Sequence, residues 1–177
     1  MTVVYMEKKE QLFEESVKML KQALKKEIAY DSEHPILRRA EMMLRIWLEG
    51  IVNEETTLFM EILYRECREM FPYSGELYRG LRVEPGTSLY PMKVASFSSQ
   101  RYVACKFAGT EEFTGEYDDN DDIIFIETEG SGAFALDDFQ FELMELTSNI
   151  DFYHVMDDMV GEHEKLFPMS EELVRMY

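Results

Sequence analysis

The chain has 177 residues, 46% of them apolar, which suits one domain or a domain with an appendage and argues against disorder, collagen and coiled-coil rods. No apolar run approaches the roughly 20 residues that cross a bilayer, and we find no signal peptide. The two cysteines argue against a disulfide framework. We therefore expect a cytoplasmic protein with no membrane partner.

The charge is strongly acidic and unevenly spread. Lys and Arg number 18 against 36 Asp and Glu, a formal net charge of −18, of which residues 76–177 carry −15. Phosphate binding requires a basic face, so this balance argues against direct nucleic-acid binding. Long-range steering favours a basic protein partner, although acidity can also serve solubility alone.

Apolar stripes at helical spacing predict that the first 70 residues are helical. They run over residues 13–28, 37–51 and 58–70. Pro35 suits a helix start, and Phe71-Pro72 ends the third helix. Because such stripes are more often core than cofactor site, we interpret residues 1–72 as a helical N-terminal region.

Beyond residue 72 the pattern changes to short β-type runs between turns. It predicts strands at 76–83, 93–98, 123–126, 133–136 and 164–167, a helix at 100–108, an acidic loop at 111–122 and an ambiguous segment at 139–148. Helices followed by many short strands are typical of α+β proteins, the class that we predict.

Two polar motifs lie on the first two of these strands. Arg79 is one of the few cations in residues 76–177. A guanidinium can form a bidentate contact with a pyrophosphate or a carboxylate. Gly80 would let the backbone approach a ligand. Ser96 and Ser98 share one face of their strand, where hydroxyls can orient a carboxylate or cap the helix that follows.

A third motif, Glu162-His163-Glu164, lies near the C-terminus. On an extended segment both carboxylates face the same way, about 6.5–7 Å apart. The surroundings can give the two carboxyl groups of such a pair different pKa values, so that each takes a separate role. Taken alone, each of the three motifs is more often structural: an Arg paired with a carboxylate, a helix cap, or an exposed acidic strand.

Taken in order, the three motifs resemble the signature of the mono-ADP-ribosyltransferases: an Arg, a Ser-x-Ser strand and a Glu-x-Glu pair. The matching segments are 77–80, 95–98 with the trailing helix residues 103–108, and 162–168. The likeness spans about residues 75–170 and is closest to the small cytoplasmic enzymes with which tailed phages modify host proteins. Phe97 stands where the family has Thr.

The resemblance implies that residues 73–177 form a split β-sandwich core that binds NAD. Such enzymes are glycosyltransferases that release nicotinamide and pass ADP-ribose to a protein side chain. It implies that Arg79, with Tyr78 and Ser98 beside the cofactor, grips the NAD phosphates and ribose. The backbone of Gly80 would hold the nicotinamide amide.

The resemblance also assigns the carboxylates. Ser96 would orient Glu164, which would bond the ribose hydroxyl and stabilise the oxocarbenium-like transition state. Glu162 would receive the target guanidinium, because Glu at that position goes with arginine as acceptor. We expect the target in the host bacterial cytoplasm if the gene is carried by a phage.

The resemblance also implies an aromatic side chain that packs on nicotinamide and a loop that meets the target protein. Phe134 is the first choice for the aromatic that packs on nicotinamide and Phe107 is its rival, with core packing as the alternative for either. Residues 151–161 would form the loop that meets the target, with Phe152 and Tyr153 as contacts.

Other chemistries fit poorly. Asp118 to Asp122 resembles the start of a calcium loop, but Ile123 occupies the sixth place, where Gly is needed. His and Cys show no metal-ligand spacing, and we expect no metal. The alternative function is a non-catalytic acidic inhibitor that mimics nucleic acid and occupies a basic site on a partner.

Overall fold

The structure, a computed structural model, describes residues 3–109 and 121–176. It is mixed, 53% helical and 21% strand, with an antiparallel sheet, so the predicted combination of helices and strands is confirmed. Most of the predicted acidic loop at 111–122, and Asp118 to Asn120 of the calcium-like motif, lie outside the described residues.

The elements follow the predicted order closely. The helices are α1 (Val3–Leu24), α2 (Pro35–Leu48), α3 (Glu54–Cys67), α4 (Arg101–Ala108), α5 (Leu136–Leu146), α6 (Ile150–Met159) and α7 (Glu171–Arg175), with a 3₁₀ turn at Val160–Glu162. The strands are β1 (Pro72–Tyr73), β2 (Glu76–Val83), β3 (Met92–Ser98), β4 (Asp122–Glu129), β5 (Ala133–Ala135) and β6 (Glu164–Met169).

The chain divides into two compact units. The helical unit comprises the residues up to Phe71 together with Asp138–Gly161, and the sheet unit comprises Pro72–Asp137 together with the residues from Glu162 onward. The division near residue 72 matches the sequence boundary. The later segment differs, because residues 138–161 group with the N-terminal helices and the sheet unit is not continuous in sequence.

Helix ends in the helical unit follow local chemistry. Pro35 opens α2, where the His34 ring accepts the amide of Ile36. α1 ends earlier than its apolar stripe predicts. Lys26 takes a left-handed φ of 61°, so Ile28 lies outside the helix and is 37% exposed.

A buried carboxylate explains why the later segment joins the helical unit. Glu41 Oε2 on α2 accepts hydrogen bonds from Tyr30 Oη (2.7 Å), Ser32 Oγ (3.0 Å) and Thr147 Oγ1 (2.6 Å). Burial, followed by the bond to Glu41, raises the pKa of the Tyr30 hydroxyl. Buried polar groups require such partners, and this cluster ties the end of α5 to α2.

The predicted target-facing loop at 151–161 is wrong, because most of it is helix α6. The Asn149 side chain caps that helix by accepting the amide of Phe152. Phe152 and Met156, spaced four residues apart, are both buried in the core. Phe152 is therefore not available as a surface contact, whereas Tyr153 is exposed.

Among the described residues the strands form one antiparallel sheet in the order β1-β5-β6-β3-β2-β4. β2 pairs with β4 along its whole length, but its register with β3 is the single pair Tyr78 opposite Ser98. β6 runs through Pro168, past its predicted end, opposite an irregularity between Met92 and Ala95. The core of this unit includes Leu77, Ala95, Phe97, Ile126, Ala133, Met169 and Leu173.

Gly80 lets α4 lie directly on β2. A Cβ at this position would overlap the backbone carbonyl of Ala104 and would lie 3.0 Å from the amide nitrogen of Ala108. Backbone atoms of a helix cannot move aside as a flexible side chain does. The observed requirement for glycine at this position is therefore the close approach of a helix.

We expect Gly80→Ala to lower the free energy of unfolding by about 1–3 kcal/mol, the usual cost of overpacking. Urea denaturation measures the change. Gly161→Ala is the matched control, since nothing lies within 4 Å of its added Cβ, and it should stay within about 0.5 kcal/mol of wild type. Equal stability of the two variants would contradict the contact.

Candidate functional site

Three neighbouring strands bring Arg79, Ser96 and Glu164 together. Arg79 Nη1 on β2 donates to the carbonyl oxygen of Ser96 on β3 at 2.6 Å. Ser96 Oγ donates to Glu164 Oε2 on β6 at 2.6 Å. Because β6, β3 and β2 are adjacent in the sheet, residues far apart in sequence form one continuous polar chain.

The ends of this chain carry opposite charges. Burial lowers the pKa of the Arg79 guanidinium, and the negative charge of Glu164 opposes that shift. An arginine remains protonated even so, because its ordinary pKa exceeds 12. Glu164 is buried, so the site holds a partly desolvated cation and an anion with Ser96 between them.

Glu162 reaches the site through a turn, and the extended segment predicted for residues 162–164 is wrong. Glu162 ends the 3₁₀ turn, His163 takes a left-handed φ of 50°, and β6 begins at Glu164. Left-handed backbone costs a residue other than glycine about 1–3 kcal/mol. Two bonds from the end of β3 hold the turn: Ser98 Oγ to Glu162 O (2.7 Å) and Ser99 N to His163 O (3.3 Å).

The Glu162 carboxyl keeps its proton to a higher pH than an ordinary glutamate. Its pKa is raised by burial first and then by the like charge of Glu164, while Lys106 on α4 opposes the shift. Two carboxylates that influence each other across one turn can take different protonation states.

The other residues singled out in the sequence have structural partners. Ser98 Oγ, besides its bond to Glu162, accepts the amide of Gln100 at 3.0 Å just before α4, so this hydroxyl fixes both the turn and the approach to the helix. Tyr78 Oη donates to Glu76 Oε2 at 2.6 Å, and its ring centroid lies 6.3 Å from that of Phe125.

Neither aromatic predicted to pack on nicotinamide lies in the polar chain. Phe134 is 0% exposed and lies opposite Leu166 in the pairing of β5 with β6. With no exposed surface, its ring serves the core in this structure. Phe107, its rival, is 55% exposed on α4.

Sequence reasoning missed a buried ion pair behind the turn. Lys165 Nζ donates to Asp137 Oδ2 at 2.7 Å and to the carbonyl oxygen of His163 at 3.3 Å. The available signal was a lysine between Glu164 and the apolar Leu166 in a strand, since such a lysine is buried only when it is paired.

Within residues 3–109 and 121–176, none of the helices combines the length and the apolar character that crossing a bilayer requires. In the same residues, no group of three or more His, Cys, Asp or Glu side chains is placed so that it could hold a metal ion.

No protein-family model matches the sequence, and neither a curated protein nor a solved structure is significantly similar to it.

We expect Glu164→Gln to lower the pKa of Glu162 while leaving it above the ordinary value, because the like charge disappears and the larger cause, burial, stays. Titration of the side-chain carboxyl ¹³C shift measures the midpoint. Glu172→Gln, on the exposed side of α7, is the control and should leave it unchanged. An identical midpoint in wild type and Glu164→Gln would show that the two carboxylates do not influence each other.

Proposed function

We propose that the protein is an NAD-dependent mono-ADP-ribosyltransferase that moves ADP-ribose from NAD to arginine side chains of target proteins and releases nicotinamide. The observation that carries the proposal is the chain from Arg79 through Ser96 to Glu164. In this proposal the sheet unit is the split β-sandwich core, and the single register pair between β2 and β3 marks where the sheet opens.

Glu164 is suited to the bond-breaking step. When the bond between nicotinamide and ribose breaks, its electron pair leaves with nicotinamide and positive charge develops on the ribose. A carboxylate that is already held in place stabilises that charge without reorganising. Ser96 Oγ holds Oε2 at 2.6 Å, which leaves the carboxylate geometry fixed before the substrate arrives.

Arg79 is suited to bind the dinucleotide. A guanidinium has five donors in a planar fork that matches phosphate oxygens, and one of them is used to fix the side chain to Ser96. Its positive charge also offsets the repulsion between NAD and a protein of net charge −18.

Glu162 is suited to the acceptor. An arginine guanidinium is almost always protonated and is therefore a poor nucleophile. A carboxylate beside it can take its proton as the new bond between nitrogen and ribose carbon forms, and the raised pKa of Glu162 makes it a stronger base than an ordinary glutamate. The charge of −15 on residues 76–177 would attract a basic target, such as a bacterial host protein in the cytoplasm.

The second candidate is a non-catalytic acidic inhibitor that mimics nucleic acid. The net charge of −18 favours it, because such a protein needs widely spread acidity. It gives no reason to place a partly desolvated guanidinium and a buried carboxylate on either side of one serine. Release of nicotinamide from NAD separates the two candidates, and labelled NAD in a bacterial lysate then identifies the modified protein.

We expect Glu164→Gln to slow nicotinamide release by about 10²–10³-fold, the usual loss when one fixed electrostatic stabiliser is removed. The fold should survive, because the Gln carbonyl can still accept the Ser96 hydroxyl. Chromatography of nicotinamide measures the rate and circular dichroism monitors the fold, with Glu172→Gln again as control. Near-normal turnover in the folded Glu164→Gln variant would refute the catalytic assignment.

We expect Glu162→Gln to lose transfer to arginine while keeping part of its NAD hydrolysis, since only transfer requires a proton acceptor for the guanidinium. In the wild type, transfer should fall as the pH drops below the raised midpoint of Glu162, because the protonated carboxyl no longer accepts a proton. The ratio of labelled arginine peptide to free nicotinamide measures both effects. Parallel loss of the two activities would count against this role.

A further inference from the structure

Lys165 is a buried cation directly behind the two glutamates. It follows Glu164 on β6 and is 4% exposed. Its ammonium donates to Asp137 Oδ2 at 2.7 Å and to His163 O at 3.3 Å, and it lies 5.0 Å from the centroid of the Tyr73 ring. The carboxylate, the carbonyl and the ring face together compensate a charge that has left water.

Stability alone gives a weak reason for this pair. Removing two charges from water carries a desolvation cost that their attraction often only offsets, and apolar residues of similar volume frequently serve as well. Asp137 Oδ1, moreover, is buried without a hydrogen-bond partner. A pair that brings little net stability is better explained by what it holds in place.

The pair of Lys165 and Asp137 holds the backbone carbonyl of His163 in place. That carbonyl accepts Lys165 Nζ from one side and the Ser99 amide from another, each at 3.3 Å. His163 is also the left-handed residue between Glu162 and Glu164. Rotation of its backbone would therefore change the position of one glutamate relative to the other.

We infer that Lys165 is a positioning residue: its bond to the His163 carbonyl, anchored by Asp137, fixes the left-handed turn that sets Glu162 against Glu164. The catalytic consequence rests on the proposed function. Transfer to arginine needs both carboxylates in place, whereas cleavage of NAD relies on Glu164, so loosening the turn reduces transfer more than hydrolysis.

The test compares wild type with Lys165→Met and with Asp137→Asn/Lys165→Met. The single variant leaves Asp137 as an unpaired buried charge and is prone to unfold; the double variant removes both charges and decides the question if the single variant does not fold. Lys93→Met is the control, because Lys93 is exposed on the adjacent β3. All variants are studied in the full chain.

Two readouts do not depend on activity. Loss of the bond from Lys165 to the His163 carbonyl should speed hydrogen exchange of the Ser99 amide by about tenfold or more relative to wild type, because local opening becomes easier. The pKa of Glu162 should fall toward its ordinary value as the carboxyl leaves its half-buried position near Glu164. The third readout is the ratio of transfer to hydrolysis, which should fall by about tenfold if one carboxylate is misplaced.

A folded double variant with unchanged Ser99 exchange and an unchanged Glu162 midpoint would overturn the inference. So would a loosened turn that leaves the ratio of transfer to hydrolysis as in the wild type. If wild type releases no nicotinamide at all, the proposed function fails, while exchange and titration still decide whether Lys165 fixes the turn.

Discussion

Ser96 binds two groups of opposite charge, one through its backbone carbonyl and the other through its side-chain hydroxyl. Its carbonyl oxygen accepts the Arg79 guanidinium and its hydroxyl donates to the Glu164 carboxylate, both at 2.6 Å. The carbonyl belongs to the backbone of β3, so Arg79 is anchored to the sheet itself. The rest of the site depends on this residue, because it binds both the cation and the anion.

Further groups lie around these three residues. Helix α4 lies directly on β2, the strand of Arg79, which Gly80 permits. β6, the neighbour of β3 in the sheet, begins at Glu164, and the turn before it places Glu162 where burial and the neighbouring charge raise its pKa. Together these contacts put three ionisable groups in one place in a protein of net charge −18.

Sequence patterns predicted elements whose own residues determine them. β2 has the predicted bounds at both ends. The three N-terminal helices contain most of their apolar stripes, because the buried face of a helix has a regular period. The resemblance implied that Ser96 contacts Glu164, and the hydrogen bond between them agrees with that expectation.

The features that the sequence did not predict correctly all depend on tertiary contacts. The resemblance implied a loop at residues 151–161, yet burial of Phe152 and Met156 makes most of them a helix. The left-handed His163 has no local signal, since glycine is the residue that usually marks such a backbone. The pairing of Lys165 with Asp137 joins positions 28 residues apart, and no periodicity within β6 reveals it.

The alternation of the two units along the chain bears on how the protein is made. The helical unit receives its last segment from residues 138–161, and the sheet unit receives β6 only after that. During synthesis from the N-terminus the helical unit cannot be finished before residue 161 has been made, and the sheet unit cannot be finished before β6 has been made. The carboxylate of Glu164 is the last of the polar chain to emerge, so a prematurely terminated product lacks the strand that completes the site.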